Sequence, residues 1–192
     1  MPKYGYKFVF CDYTEKCLAL IKLEIPDDAI IVRPIEQVEE TFNKIQYKPS
    51  RKLRCNKYKF IEVVDFYKFD YEVSLGDWRH ALSPLCTWKI FPTEVNLENI
   101  HFRSIICPET FEYKLNEDYI SELDTNIDQE CGTGLHYFET IEDAEKWIED
   151  DVNPNWIIER YYVFDKSLYN RIYDRLYLKG EIKWITNGMQ IL

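Results

Sequence analysis

Apolar and polar positions alternate through the first third of the chain. YKFVF (6–10) and CLALIKLEI (17–25) are dense in Val, Ile, Leu and Phe, with the turn-forming DYTEK between them. This pattern predicts a β-hairpin. Pro26-Asp27-Asp28 stops the second strand, because proline has no N–H to give to a ladder. IIVRP (30–34) reads as another short strand. In PIEQVEETFNKIQY (34–47), Ile35, Val38, Phe42 and Ile45 fall at spacings of three, four and three. That period predicts a helix opened by Pro34. KLRCNKYKFIEVVDFYKFDYEV (52–73) reads as two strands, with Tyr58, Phe60 and Glu62 on one face.

Further on, DWRHAL (77–82) predicts a turn or two of helix ended by Ser83-Pro84. TWKIFP (87–92), HFRSIIC (101–107), FEYKL (111–115) and LHYF (135–138) read as strands between asparagine- and proline-containing turns. Thr140-Ile141-Glu142-Asp143 has the spacing of a capping box, with Ile141, Ala144, Trp147 and Ile148 as the buried face of the helix it opens. After a break at Asn153-Pro154-Asn155, IIERYYVF (157–164) predicts a strand. Leu168, Ile172 and Leu176 predict a helix closed by Gly180. EIKWI and MQIL predict a hairpin around a tight Asn187-Gly188 turn. The sum is an α+β chain, mainly antiparallel sheet with two to four short helices. With no linker in evidence, 1–152 reads as one α+β domain and 153–192 as an extension packed on it.

Composition changes this picture in three respects. Fifteen tyrosines and 11 phenylalanines reinforce the sheet, since aromatic side chains suit a half-buried pleated surface. A formal net charge of −10 argues against nucleic acid, whose phosphates attract the opposite sign. The one basic stretch, Lys48 to Arg54 with Lys57 and Lys59, reads as a solvated loop and strand edge. No segment approaches the ~20 apolar residues of a membrane helix, and MPKYGYKFVF has no small-residue cleavage site. The expectation is therefore an intracellular protein whose six cysteines are reduced. His80, His101 and His136 lie far apart and no C-x-x-C pair occurs, so no metal site is expected. No phosphate loop, dinucleotide motif or nucleophile elbow is present, so no cofactor is expected either.

One segment invites chemistry. In Cys131-Gly-Thr-Gly-Leu-His136 a thiol and an imidazole flank two glycines. Read as a site, Cys131 is a nucleophile, His136 its base, and Gly132 and Gly134 open backbone amides to an anion. Read as structure, the glycines allow a tight turn, Cys131 fills a small buried space, His136 braces the turn, and Thr140, Asp143 and Trp147 lock the corner into the core. The structural reading is the simpler and is preferred, with a ligand site at Gly132 and Gly134 as the alternative. The acidic run from Asp118 to Glu130 does not fit an EF-hand and reads as a solvated loop.

Three blocks in order, IKLEIPDDA (21–29), RKLRCNKYKFIEV (51–63) and ECGTGLHYFETIEDAEKW (130–147), resemble a domain of large DNA viruses of protists that often occurs beside pentapeptide repeats. The resemblance spans residues 5–150 with gaps at 33–50 and 65–85. The segment at 34–47 departs from the pattern, and pentapeptide repeats are absent. The resemblance implies a viral protein in the infected host cytoplasm or virion, and it brings no reaction, cofactor or catalytic residue. Together these readings predict a non-enzymatic accessory or structural protein that works through a protein partner or self-association, with no membrane. The alternative is a small enzyme or ligand-binding domain centred on the Cys131–His136 turn.

Overall fold

The computed structural model describes residues 3–41, 44–70, 86–90, 95–106, 111–129, 131–151, 157, 160–166, 182–185 and 188–191. The fold is sheet-dominated α+β. β1 (Lys3–Cys11) and β2 (Cys17–Ile25) form a long hairpin, in register from Lys3↔Ile25 to Cys11↔Cys17. β3 (Ile31–Val32) is short, and β4 (Ile35–Thr41) and β5 (Lys44–Pro49) form a separate two-stranded hairpin. β6 (Lys52–Cys55) and β7 (Lys57–Asp70) are separated only by Asn56. Then come β8 (Cys86–Ile90), β9 (Phe102–Ser104), β10 (Glu112–Tyr113), β11 (Asp118–Ile120) and β12 (Leu135–Phe138). Helix α1 (Ile141–Lys146) continues through a wider turn at Trp147–Asp151. Residues 160–166 are helical, and β13 (Ile182–Ile185) pairs with β14 (Gly188–Ile191).

All pairings are antiparallel, and the main sheet runs β11-β7-β2-β1-β12-β6-β3, with β8 on β7 and β9-β10 on β1. Consecutive strands β6 and β7 therefore sit near opposite ends of the path, and the sheet curls back on itself at Asn56. One face encloses Val9, Cys11, Ala19, Ile21, Leu23, Tyr58, Phe60 and Phe102. The other carries Phe8, Phe10, Leu18, Leu20, Tyr67 and Phe69 beneath Ala144, Ile148, Ile157, Tyr161 and Phe164. Because both faces are covered, the central strands are near-continuous apolar runs rather than alternating ones.

Several expectations need correction. Residues 35–41 and 44–49 are strands, not a helix: the pairing Ile35↔Pro49 through Thr41↔Lys44 satisfies the backbone, overriding a helical period carried by only four apolar positions. Ile157 and residues 160–166 are helical rather than extended. There Ile157, Tyr161 and Phe164, at spacings of four and three, meet the second face, a pattern hidden among β-favouring aromatics. Glu62 leaves the face shared by Tyr58 and Phe60 because the register with β2 shifts between Lys22 and Leu23; it pairs with Lys22 outside. Gly188 is a strand residue opposite Ile185 rather than part of a turn. The helices expected at 77–82 and 168–176 and the break at 153–155 lie outside the described residues.

The helix at 160–166 is fastened by rings. Phe164 stacks on Phe10 at 5.6 Å between centroids, and Tyr161 meets Phe69 edge-on at 5.3 Å. The Tyr161 hydroxyl also accepts from the N–H of Lys16 at 2.8 Å, at the hairpin tip where Lys16 adopts φ 52°. Phe164→Ala is expected to cost about 3–4 kcal/mol in urea unfolding, the usual loss for a buried phenylalanine. A change near zero would show that this helix does not seal the second face.

Candidate functional site

The site starts from a division of the β1 edge. Tyr6 pairs with Phe138 of β12, whereas Val9, Phe10 and Cys11 pair with Ser104, Arg103 and Phe102 of β9. Between these two partners, at Lys7, the edge is unshared, and a cleft of about 450 Å³ opens there. This lies within the usual range for small-molecule sites. Lys7, Lys52, Ser104, Ser121, Thr133 and Cys131 give it polar groups; Ile106, Phe111, Tyr113, Leu135 and Trp147 give it apolar walls. Gly132, Gly134 and His136 complete the rim.

β6 and β12 set its floor. Their register places His136 opposite Arg54 and Phe138 opposite Lys52, so these four side chains share one face of the strand pair. Arg54 is fully buried, at 0% exposure. Its Nε donates to the carbonyl of Asp124 at 2.8 Å, and its two terminal nitrogens donate to the carbonyls of Asn126 and Gln129. The loop is shaped to offer them: Asp124 Oδ1 accepts from Asn126 N at 2.9 Å, and Asn126 Oδ1 from Asp128 N at 3.0 Å. A short side-chain acceptor two residues before its donor bends the chain at each step. The acidic run is thus not a loose solvated loop along its length; it wraps a cation supplied by the protein itself.

Arg54 also explains the turn. A Cβ on Gly132 would lie 2.6 Å from Asp124 Oδ2 and 3.0 Å from Arg54 Cζ, so close approach to the guanidinium requires glycine there. Gly134 has φ +143° and is the glycine needed for its backbone conformation. Since Arg54 occupies the interior behind the turn, Cys131 is exposed; the expectation of a small buried hydrophobe at that position is overturned.

Cys131 and His136 both line the cleft, but the polar contact to the sulfur comes from Lys52, whose Nζ lies 3.5 Å from Sγ. Lys52 is 8% exposed. Lys7 Nζ donates to the His136 carbonyl at 3.1 Å, anchoring the strand while staying in the cleft wall. The expected solvated basic stretch is therefore buried at Ser50, Lys52 and Arg54. At the following helix, Thr140 Oγ1 accepts from Asp143 N at 3.1 Å and donates to the Asp143 carboxylate at 2.9 Å. The acid thus returns to the hydroxyl of the cap rather than to its backbone N–H. Trp147, half-buried, packs its ring 5.6 Å from Phe138 and faces the cleft.

Lys52 and Arg54 belong to the basic stretch that reads from sequence as a solvated loop and strand edge, and nothing in the sequence reading marks Lys7. The signal was a basic residue at inward positions of otherwise apolar strands, together with acceptors at 124, 126 and 128 spaced for serial turns. Among the described residues no three His, Cys, Asp or Glu side chains converge as a metal site, and no helix is long and apolar enough to cross a membrane. No protein-family model, curated protein or solved structure matches the chain.

Burial pushes the Cys55 thiol up to about 12 and raises Cys11, which abuts the sulfur of Cys17 at 2.9 Å, well above the ordinary range. A buried thiol is both shielded and held neutral. In native protein, iodoacetamide is expected to modify Cys131 and to spare Cys11, Cys17 and Cys55 until unfolding, as read by peptide mass spectrometry. Protection of Cys131 would contradict an open cleft. Arg54→Met is expected to cost about 3–5 kcal/mol, because three inward carbonyls lose a charged donor. Its loop should become sensitive to a glutamate-specific protease at Glu122. Arg54→Lys should recover little, since one ammonium cannot reproduce a planar three-way fork. Full recovery by lysine would show that charge alone holds the loop.

Proposed function

We propose that this protein is a ligand-binding domain whose cleft at the Cys131–His136 turn takes a small organic anion. The observation that carries this is the charge of the lining. In a chain of net charge −10 the described lining of the cleft includes two lysines, Lys7 and Lys52. The serine and threonine hydroxyls and the glycine-flanked backbone supply further donors at the rim. Cys131 adds an exposed thiol within 3.5 Å of the Lys52 ammonium.

A second reading, contact with a protein partner, is favoured by a different surface. Ile120 is 80% exposed on β11, and Ile30 and Ile127 are exposed too. Ile30 and Ser121 both hydrogen-bond to Asn56, which brings these neighbours to one corner. Exposed isoleucines on an acidic stretch suit an apolar partner edged with basic residues. Under the viral resemblance, such contacts would be made in the infected cytoplasm or the virion.

Titration of the full chain with acetate, phosphate and larger carboxylates, followed by amide NMR shifts, tests the first reading. Anions are expected to move the resonances of residues 131–136, with binding weakened about tenfold by Lys52→Met, the loss of one charged contact, and weakened further by added salt. Shifts at the turn that are indifferent to Lys52→Met would sink the reading, as would none at all.

A further inference from the structure

Away from the cleft, two nucleophilic side chains meet at the tip of the first hairpin. Cys11 ends β1 and Cys17 begins β2, directly opposite each other in the last pair of the ladder. Both are fully buried, and both are free thiols. The Cys11 thiol donates to the Cys17 sulfur at 2.9 Å. Opposed residues of an antiparallel pair hold their Cα atoms about 4.5–5.5 Å apart, within the span of a disulfide, whose sulfurs lie about 2.0 Å apart. A bond between the two therefore asks for a small further approach of the sulfurs and no change of register.

The residues next to this pair are tied to distant parts of the chain. Asp12 N donates to the His101 carbonyl at 3.3 Å, and the Asp12 carboxylate accepts from His101 N at 2.7 Å. On the other strand, Phe69 N donates to the Lys16 carbonyl at 3.0 Å and Lys16 N donates to the Tyr161 hydroxyl at 2.8 Å. Reagents reach the sulfurs only when these ties open, a local unfolding of the tip. While it is closed, burial and the neighbouring Cys17 sulfur hold the Cys11 thiol well above its ordinary range, so the thiolate that exchange requires is scarce.

We propose that Cys11 and Cys17 form a thiol–disulfide exchange site for low-molecular-weight disulfides, gated by opening of the hairpin tip. In the open tip the thiolate of one cysteine attacks the small disulfide, giving a mixed disulfide and releasing one small thiolate. The second cysteine, deprotonated, attacks the protein sulfur of the mixed disulfide, and the second small thiolate leaves. Two protein thiols and one small disulfide thus become one protein disulfide and two small thiols. Two electrons pass from protein to reagent, and the two thiol protons go to the released thiolates. Closing the tip then buries the product. Because the folded register already opposes the two cysteines, folding and bond formation favour each other by the same factor.

The full chain is equilibrated with mixtures of reduced and oxidised glutathione in native buffer and in concentrated urea, starting from both reduced and oxidised protein. The Cys11–Cys17 link is counted by peptide mass spectrometry after acid quenching and alkylation. It is expected to form at a glutathione ratio about tenfold or more further toward the reduced side in native buffer than in urea. An equal or weaker preference in the native chain would overturn the proposal and leave the contact as packing of two thiols. So would a bond from either cysteine to a different one in place of this link. Tyr161→Phe removes only the hydroxyl that accepts from Lys16, and it is expected to bring the native chain to equilibrium about fivefold faster, the worth of one hydrogen bond. An unchanged rate would overturn the gate. The comparison of native buffer with urea needs no variant, so it stands even if Tyr161→Phe does not fold.

Discussion

Everything at the candidate site hangs on the Arg54 guanidinium and the three carbonyls folded over it. A buried cation without compensation is among the most costly features a fold can carry. Here compensation comes from backbone dipoles of Asp124, Asn126 and Gln129 rather than from a carboxylate. That choice has a structural consequence. A salt bridge would fix one side chain, whereas three carbonyls fix the path of a whole loop. With the loop held, Asp124 N reaches the carbonyl of Thr133 at 2.9 Å, and the Cys131–Gly134 turn is pinned from both sides.

The same strand face that fastens the loop also furnishes the cleft. Lys52 and Arg54 are two residues apart on β6 and therefore point the same way, and His136 and Phe138 stand beside them on β12. One member of this quartet holds the loop, two line the cleft, and Phe138 joins the apolar cluster under α1. A one-residue slip of β6 against β12 would exchange the faces and lose all four roles at once. Leu53, Cys55, Leu135 and Tyr137 on the opposite face, all buried in the other cluster, oppose that slip. Core packing thus specifies the register on which the site depends.

The hairpin of β1 and β2, the LHYF strand and the cap at Thr140 could be read from sequence because each is local: a period of two, a turn, a short polar cap. What escaped reading is non-local. The residues of β4 and β5 carry a helical spacing that only cross-strand pairing overrides. The helix at 160–166 is rich in residues that favour strands and gains its place from Phe10 and Phe69, far away in the chain. The Cys-Gly-Thr-Gly-Leu-His turn was visible as a feature, but its meaning was not. The space behind it is filled by an arginine some 77 residues earlier (131 − 54), and no local pattern reports that. Lys52 and Arg54 read locally as a solvated strand edge, and their burial follows only from the pairing of β6 with β12.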